Sequence, residues 1–236
     1  MINMNIALFG SGEFTPQVDD IDKYLITKYK PKNIAVLPTA AGQESDVAKW
    51  TDMAKTHYAK FNLEVIPVSV LNKDQANDQN FVDLLAKAEW IFFSGGNPGY
   101  LLETIQDTKI WEAVMQRVND GALLAGSSAG AMIMGRCILT VPSFKAISTG
   151  SGTIWRDAFG LVDYTILPHF DHFKKYRGLM SKIIGTSPSK VHSSWMGIDE
   201  NTAIIYRGNE RIVRGQGGVE IHDGANIQHL WEKLER

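Results

Sequence analysis

Residues 126–130 have the spacing of a serine nucleophile, Gly-x-Ser-x-Gly, centred on Ser128. The segment directly follows the apolar run 122–125 and precedes the apolar run 131–134, where a strand is expected to turn into a helix. Small neighbours at such a turn allow the sharp bend that exposes a serine hydroxyl. The pattern favours Ser128 as a nucleophile and Ser127 as a structural residue. The competing interpretation is a glycine-rich turn that only packs a helix on a strand.

A serine hydroxyl needs a base that takes its proton, and histidine is the usual choice. Among the six histidines, His169 directly follows the apolar run 164–167, which is typical of a strand. We therefore expect His169 at the same edge of the sheet as Ser128, although a structural histidine at a strand end is the competing interpretation. The other histidines lie on a helix face, in polar stretches or near the C-terminal end: His57, His172, His192, His222 and His229.

The imidazole then needs an acceptor that fixes its orientation. Glu200 lies shortly before the predicted strand 203–206 and can turn inward toward His169. Asp171 and Asp199 are rivals for this role, and spacing does not choose among the three carboxylates. An acidic turn exposed to water is the competing interpretation.

A glycine-rich loop at residues 94–99 follows the predicted strand 90–93 and should emerge at the same sheet edge. Paired glycines let backbone N–H groups come close to a ligand. The competing interpretation is a turn that needs positive φ angles. Residues 10–13 form a third glycine loop, but it lacks the lysine and the spacing of a phosphate loop, so no nucleotide site is expected.

The elements that position these residues follow a regular alternation of apolar runs and amphipathic stretches. Strands are predicted at residues 6–9, 34–37, 65–68, 90–93 and 122–125. Pro67 places the third of them near an edge or a bulge. Thr15 and Ser45 are expected to cap the helices that follow the first and the second predicted strand. Apolar strands separated by helices indicate an α/β fold, with a three-layer, doubly wound, mostly parallel sheet.

Beyond about residue 190 the pattern changes to short strands at residues 202–206, 211–213 and 218–221, separated by glycine turns. They indicate a C-terminal antiparallel β extension of the same unit. The chain has 236 residues without repeats or linkers, so residues 1–236 are expected to form a single domain.

Composition narrows the function classes. A formal net charge of -2 offers no basic field for a nucleic acid. The single cysteine, Cys137, excludes an intrachain disulfide and a multi-thiolate metal site, which favours a reducing compartment. The N-terminus does not resemble a signal peptide. No stretch reaches the roughly 18 apolar residues that span a bilayer. We expect a cytoplasmic protein without a metal or other cofactor.

Taken in order, these segments resemble the dipeptidase E and cyanophycinase family of serine peptidases. Six blocks carry the resemblance along nearly the whole chain: 7–13 (Ala-Leu-Phe-Gly-Ser-Gly-Glu), 36–40 (Val-Leu-Pro-Thr-Ala), 93–97 (Phe-Ser-Gly-Gly-Asn), 126–131 (Gly-Ser-Ser-Ala-Gly-Ala), 168–170 (Pro-His-Phe) and 197–203 (Gly-Ile-Asp-Glu-Asn-Thr-Ala). Six blocks in the right order are far more specific than any single one.

The resemblance implies a flavodoxin-like sheet like that of class I glutamine amidotransferases, with serine in place of their cysteine. It implies Ser128 as the nucleophile, His169 as the general base and Glu200 as its orienter. It also implies oxyanion-binding N–H groups at Gly96 and Ala129. Beside them, Asn97 is a candidate substrate-binding residue. The family cleaves small or branched aspartyl peptides after aspartate, without metal or cofactor.

Two features depart from the family pattern. Pro98 stands where members often carry a threonine or glutamine that hydrogen-bonds the substrate. No aspartate lies between Ser128 and Asp157, whereas dipeptidase E has one shortly after its nucleophile helix. The family's substrate carboxylate is met by arginines soon after the histidine, and Lys174, Lys175 and Arg177 lie near that place. The competing interpretation is a basic cluster at a helix start that is only solvated.

Three functional hypotheses follow. The first is a serine hydrolase, a dipeptidase E-like peptidase whose partner is a small peptide substrate, with no nucleic acid or membrane partner and with a homodimer as an assembly to test. An α/β-hydrolase esterase shares Gly-x-Ser-x-Gly but orders its triad as serine, acid, histidine, which does not fit here. The alternative from another class is a non-catalytic, amidotransferase-like binding or regulatory module.

Overall fold

The computed structural model describes residues 4–140, 154–174, 194–208, 210–223 and 226–231. The helices in these ranges are α1 (Asp19–Tyr29), α2 (Ala48–Ala59), α3 (Gln79–Leu85), α4 (Pro98–Ile105), α5 (Lys109–Asn119), α6 (Ala129–Met134) and α7 (Phe170–Lys174). The strands are β1 (Asn5–Phe9), β2 (Asn33–Leu37), β3 (Glu64–Pro67), β4 (Trp90–Phe93), β5 (Leu123–Ser127), β6 (Cys137–Thr140), β7 (Ile154–Asp157), β8 (Thr165–Leu167), β9 (Ser194–Ile198), β10 (Thr202–Arg207), β11 (Glu210–Gly215), β12 (Gly218–Asp223) and β13 (Asn226–Trp231).

The large sheet has the strand order β11-β10-β1-β5-β4-β2-β3. The five strands from β1 to β3 in that order pair in parallel, whereas β10 and β11 add an antiparallel edge. Adjacent residues of one strand point to opposite faces, so Phe93 packs with α4, α5 and α6 while Phe92 packs with α1 and α2. Helices therefore cover both faces, and the predicted three-layer, doubly wound α/β fold is confirmed.

The C-terminal strands are antiparallel additions, as predicted, but they divide between two sheets. β10 and β11 extend the large sheet, while β12 and β13 join β9 and β8 in a second sheet of order β13-β12-β9-β8. The prediction that His169 ends a strand of the same sheet as Ser128 is wrong, because the strand before it, β8, pairs with β9 in the second sheet. A two-stranded ribbon of β6 and β7 completes the described strands.

The local predictions for one strand and for two helix caps had different outcomes. The edge position of the strand that contains Pro67 is confirmed, since β3 ends the large sheet. Thr15 precedes a short 3₁₀ turn at Pro16–Val18 that leads into α1, so its predicted position before a helical proline is confirmed, but its hydroxyl donates to the carbonyl of Gly12 at 2.6 Å and forms no cap hydrogen bond. The predicted cap at Ser45 is wrong, because α2 begins at Ala48 without a side-chain cap. The longest described helix, α2, has 12 residues. None of the described helices is both long and apolar enough to cross a membrane.

Candidate active site

Ser128 occupies a strained turn between β5 and α6. Its backbone has φ 49° and ψ -109°, a conformation that costs a non-glycine residue about 1–3 kcal/mol. Two hydrogen bonds hold the strain, since the N–H donates to the carbonyl of Phe9 at 3.1 Å and the carbonyl accepts from the N–H of Met132 at 2.9 Å. The side chain remains half-buried, which is the arrangement of a nucleophile elbow.

Two glycines of the motif permit this turn to pack closely. A Cβ on Gly126 would lie 2.4 Å from the carbonyl carbon of Gly130, and a Cβ on Gly130 would lie 2.3 Å from the carbonyl oxygen of Phe93. Both separations are far inside van der Waals contact. The missing side chains therefore allow α6 to start directly against the ends of β4 and β5, beside Ser128.

His169 links the hydroxyl to a carboxylate. Its Nε2 lies 3.0 Å from Oγ of Ser128, and its Nδ1 lies 2.6 Å from Oε1 of Glu200. Because an ionised carboxylate only accepts hydrogen bonds, Nδ1 carries the proton and Nε2 accepts from the serine hydroxyl. The structure thus brings together the three side chains that the sequence analysis selected, in the order hydroxyl, imidazole, carboxylate.

Glu200 reaches His169 from the turn between β9 and β10, where the second sheet meets the large one. The two rival carboxylates have other partners. Asp171 accepts the backbone N–H of Glu200 at 3.0 Å, and Asp199, which is only 5% exposed, accepts the backbone N–H of Gly218 at 3.0 Å. Both aspartates therefore fix the turn that carries Glu200.

The candidate oxyanion donors lie on either side of Ser128 in the chain. Gly96 has φ +139°, and a Cβ there would lie 2.5 Å from the backbone of Ala40, so this position needs glycine. Ala129 is the first residue of α6, where an N–H has no partner within the helix. Among the described residues, no acceptor takes the N–H of Gly96 or Ala129. Both groups are therefore available to a ligand.

The remaining candidate binding residues are Asn97, Lys174 and Arg177, and none of them has a substrate-binding role that the described structure tests. Asn97 caps α4, because its Oδ1 accepts the N–H of Tyr100 at 3.1 Å, and Pro98 is the first residue of that helix. The side-chain oxygen of Asn97 thus already has a partner. Lys174 is the last residue of α7 and its side chain lies outside the description, as does the whole of Arg177. Substrate binding by these three residues stays a prediction.

Glu13 is a residue that the sequence analysis missed. The residue is 7% exposed, and its carboxylate accepts the N–H of Gly95 at 2.8 Å and the hydroxyl of Ser127 at 2.5 Å. It therefore ties the loop after β1 to the glycine loop after β4 and to the residue before Ser128. The glycine spacing at residues 10–13 was the available signal, but the partners lie more than 80 residues away.

Replacing Glu13 by alanine is expected to lower the free energy of unfolding by about 2–4 kcal/mol. The reason is that the N–H of Gly95 and the hydroxyl of Ser127 would both lose a buried acceptor, at about 1–3 kcal/mol each before relaxation. Urea unfolding followed by circular dichroism measures the change. Glu103→Ala serves as the matched control, because its exposed ion pair with Arg156 contributes about 1 kcal/mol at most. Equal stability of the two variants would contradict this role for Glu13.

Three of the other described histidines have partners outside the group of Ser128, His169 and Glu200. Nε2 of His57 lies 2.6 Å from Oδ2 of Asp22 in the core, where burial raises the pKa of the Asp22 carboxyl. His57 also lines a cleft of about 690 Å³ beside α2 that none of the three linked side chains borders. His222 and His229 both face Glu220, at 2.8 and 3.4 Å. His192 lies outside the described residues.

Comparison with known proteins places this chain among peptidases. The profile of peptidase family S51 matches residues 6–214 of the chain. An uncharacterised peptidase of Pasteurella multocida (strain Pm70) is 30% identical over 186 residues, which cover 78% of this chain and 86% of the relative. A cyanophycinase of Geminocystis herdmanii (strain PCC 6308) is 27% identical over 199 residues, 83% of this chain and 71% of the relative.

Solved structures agree with the fold. A peptidase from an acI-B1 actinobacterium matches with a TM-score of 0.84 at 29% identity, covering 99% of this chain and 97% of its own. A candidate peptidase E protein from Listeria monocytogenes EGD-e matches with a TM-score of 0.65 at 22% identity, covering 91% of this chain and 99% of its own. At the lower identity the likeness concerns the fold alone.

Proposed function

This chain belongs to peptidase family S51, and we propose that it hydrolyses small aspartyl peptides through an acyl-enzyme on Ser128. The observation that carries the catalytic part is the pair of hydrogen bonds that joins Ser128 to His169 and His169 to Glu200. The family resemblance found in the sequence is confirmed, and the chain is a peptidase. The substrate class and the roles of the individual residues are what we propose beyond the family assignment.

In the acylation step, Oγ of Ser128 attacks the carbonyl carbon of the scissile peptide bond. Nε2 of His169 takes the hydroxyl proton as the new bond forms, which turns the imidazole into an imidazolium. Glu200 stabilises that cation through its 2.6 Å contact with Nδ1. In the resting state only the carboxylate is charged, whereas both partners are charged once the imidazole is protonated, so the contact strengthens during the step and favours the transition state.

The tetrahedral intermediate carries a negative oxygen. The N–H groups of Gly96 and Ala129 are the donors we assign to it, because both lack an acceptor in the described chain. The intermediate then collapses, the carbon–nitrogen bond breaks, and His169 gives its proton to the leaving amine. A water molecule, deprotonated by His169, hydrolyses the acyl-enzyme and releases Ser128.

Aspartyl specificity rests on the family resemblance and on local charge. A relative is named cyanophycinase, and the cations Lys174 and Arg177 follow His169 closely in the sequence, where the family binds the substrate carboxylate. Pro98 and the absent aspartate after the nucleophile helix remove two further family features. We therefore assign the substrate carboxylate to Lys174 or Arg177.

A non-catalytic binding module is the less favourable alternative. Such a module would have no need to keep an imidazole 3.0 Å from a serine hydroxyl and a carboxylate 2.6 Å from the other ring nitrogen. Nor would it need to hold Ser128 in a strained backbone conformation, because strain persists only where the surrounding structure enforces it.

The test is a panel of dipeptides that vary one group at a time, with release of the free amino acids measured by chromatography. Asp-Leu should be cleaved with a kcat/KM about 10–100-fold above that of the neutral analogue Asn-Leu, since one charged hydrogen bond contributes about 1.5–3 kcal/mol. Ser128→Ala gives the background rate. Lys174→Gln and Arg177→Gln identify the cation, because its loss should remove the preference for Asp-Leu. Equal cleavage of both peptides by the wild type would contradict aspartyl specificity but not peptidase activity.

A further inference from the structure

Glu200 has a second carboxylate oxygen that the catalytic proposal does not use. Oε1 contacts His169, whereas Oε2 lies 3.4 Å from Nε2 of His172. That separation exceeds the usual 2.7–3.2 Å of a hydrogen bond from N–H to oxygen. Asp171 lies beside them, and one ligand atom of each of Asp171, His172 and Glu200 falls within 4.8 Å of the other two. Two carboxylates and an imidazole thus converge around one small volume.

One of these separations matches the coordination shell of a transition-metal ion. Zinc binds imidazole nitrogen and carboxylate oxygen at about 2.0–2.2 Å, so two ligands of a tetrahedral ion lie roughly 3.3–3.5 Å apart. The 3.4 Å between Nε2 of His172 and Oε2 of Glu200 equals this distance between two ligands. Asp171, whose Oδ1 also accepts the backbone N–H of Glu200, would be the third protein ligand, with water as the fourth. The His172 side chain is 62% exposed, which gives an ion direct access from solvent.

We propose that Asp171, His172 and Glu200 form an inhibitory site for a divalent transition-metal ion, with Zn²⁺ as the best fit. The inference rests on the proposed function, because inhibition requires that Glu200 serve His169. An ion on Oε2 draws the carboxylate toward itself and takes up part of its negative charge. The same carboxylate then holds His169 less firmly and stabilises it less. The ion is an inhibitor here and supplies no chemistry to the reaction.

Metal binding is tested by titrating ZnCl₂ into the full-length wild type, His172→Gln and His229→Gln in a calorimeter. His229 is the matched control, because it is 53% exposed and its Nδ1 lies 3.4 Å from Oε2 of Glu220, outside the cluster. Wild type and His229→Gln should bind zinc with similar dissociation constants, and His172→Gln should bind at least 10-fold more weakly. Zinc affinity that is unchanged in His172→Gln would overturn the site.

Inhibition is tested through the rate at which a fluorophosphonate probe labels Ser128, which needs no knowledge of the substrate. Saturating zinc should slow labelling of the wild type at least 10-fold, EDTA should restore it, and magnesium should have no effect. The zinc concentration for half-inhibition should rise at least 10-fold in His172→Gln and stay unchanged in His229→Gln, each compared with its own metal-free rate. Zinc binding without slower labelling would overturn the inhibitory role. Absence of labelling in metal-free wild type would instead overturn the proposed function, and the two failures are thereby distinguished.

Discussion

Replacing Ser128 by alanine is expected to lower kcat for a cleaved dipeptide by about 10⁴-fold or more. At 1.36 kcal/mol per factor of ten, this is a loss of about 5.4 kcal/mol of transition-state stabilisation. The reason is that Oγ forms the covalent bond to the substrate, and His169 has no proton to take once the hydroxyl is gone. The fold should persist, because the two backbone hydrogen bonds of residue 128 do not involve its side chain. Steady-state kinetics together with circular dichroism measure both quantities.

Ser127→Ala is the matched control for this prediction, since it removes the neighbouring hydroxyl of the same motif. The Ser127 hydroxyl donates to Glu13, so its loss should lower stability by about 1–3 kcal/mol and leave fluorophosphonate labelling of Ser128 in place. A Ser128→Ala enzyme that keeps its activity within tenfold of the wild type would end the acyl-enzyme proposal. Loss of labelling in a folded Ser127→Ala variant would point to the other serine.

The catalytic candidates differ in how far the sequence could predict them. Ser128 could be predicted from the sequence because its signal is local: glycine spacing, a strand before it and a helix after it. His169 was selected for its place at a strand end, but the reason was partly wrong, since β8 belongs to the second sheet. The side chain still meets Ser128 because the two sheets approach each other at the turn that carries Glu200. Local pattern gave no information on how two sheets pack.

The carboxylates show the limit of spacing. Spacing did not choose among Glu200, Asp199 and Asp171, and the resemblance alone favoured Glu200. The structure separates them by direction: Glu200 faces His169, while the two aspartates accept backbone N–H groups. Sequence spacing also gave no indication of the role of Glu13. Its partners, Gly95 and Ser127, become neighbours only after β1, β4 and β5 have assembled.

The fold was predicted well where elements are long and apolar, and less well at helix ends. The five parallel strands each gave a continuous apolar run, because both of their faces are covered. α4 was missed, since the glycines of residues 94–99 suggested a loop. The pair Asn97-Pro98 is in fact a helix start, with the asparagine as cap and the proline at the first helical position.

Replacing Glu200 by glutamine is expected to lower kcat by about 10³–10⁴-fold with little change in KM. Glutamine keeps the length of the side chain but removes its charge, so the imidazolium formed on His169 loses its stabilising partner. If the amide instead turns its NH₂ toward Nδ1, the proton moves to Nε2, which can then no longer accept the hydroxyl of Ser128. Both outcomes slow the acylation step. Steady-state kinetics give kcat and KM separately, and the fluorophosphonate labelling rate should fall in parallel, because labelling uses the same base.

Charge and reach can be separated with Glu200→Asp, which retains the carboxylate but shortens the side chain by one methylene. We expect it to recover 10–100-fold of the activity lost in Glu200→Gln, because a displaced charge still stabilises the imidazolium at an effective dielectric of about 20. Asp199→Asn is the control for the turn itself. That aspartate accepts the N–H of Gly218, so its change should affect stability more than kcat. A Glu200→Gln enzyme whose kcat stays within tenfold of the wild type would show that the 2.6 Å contact with His169 holds the ring in place without contributing its charge to catalysis.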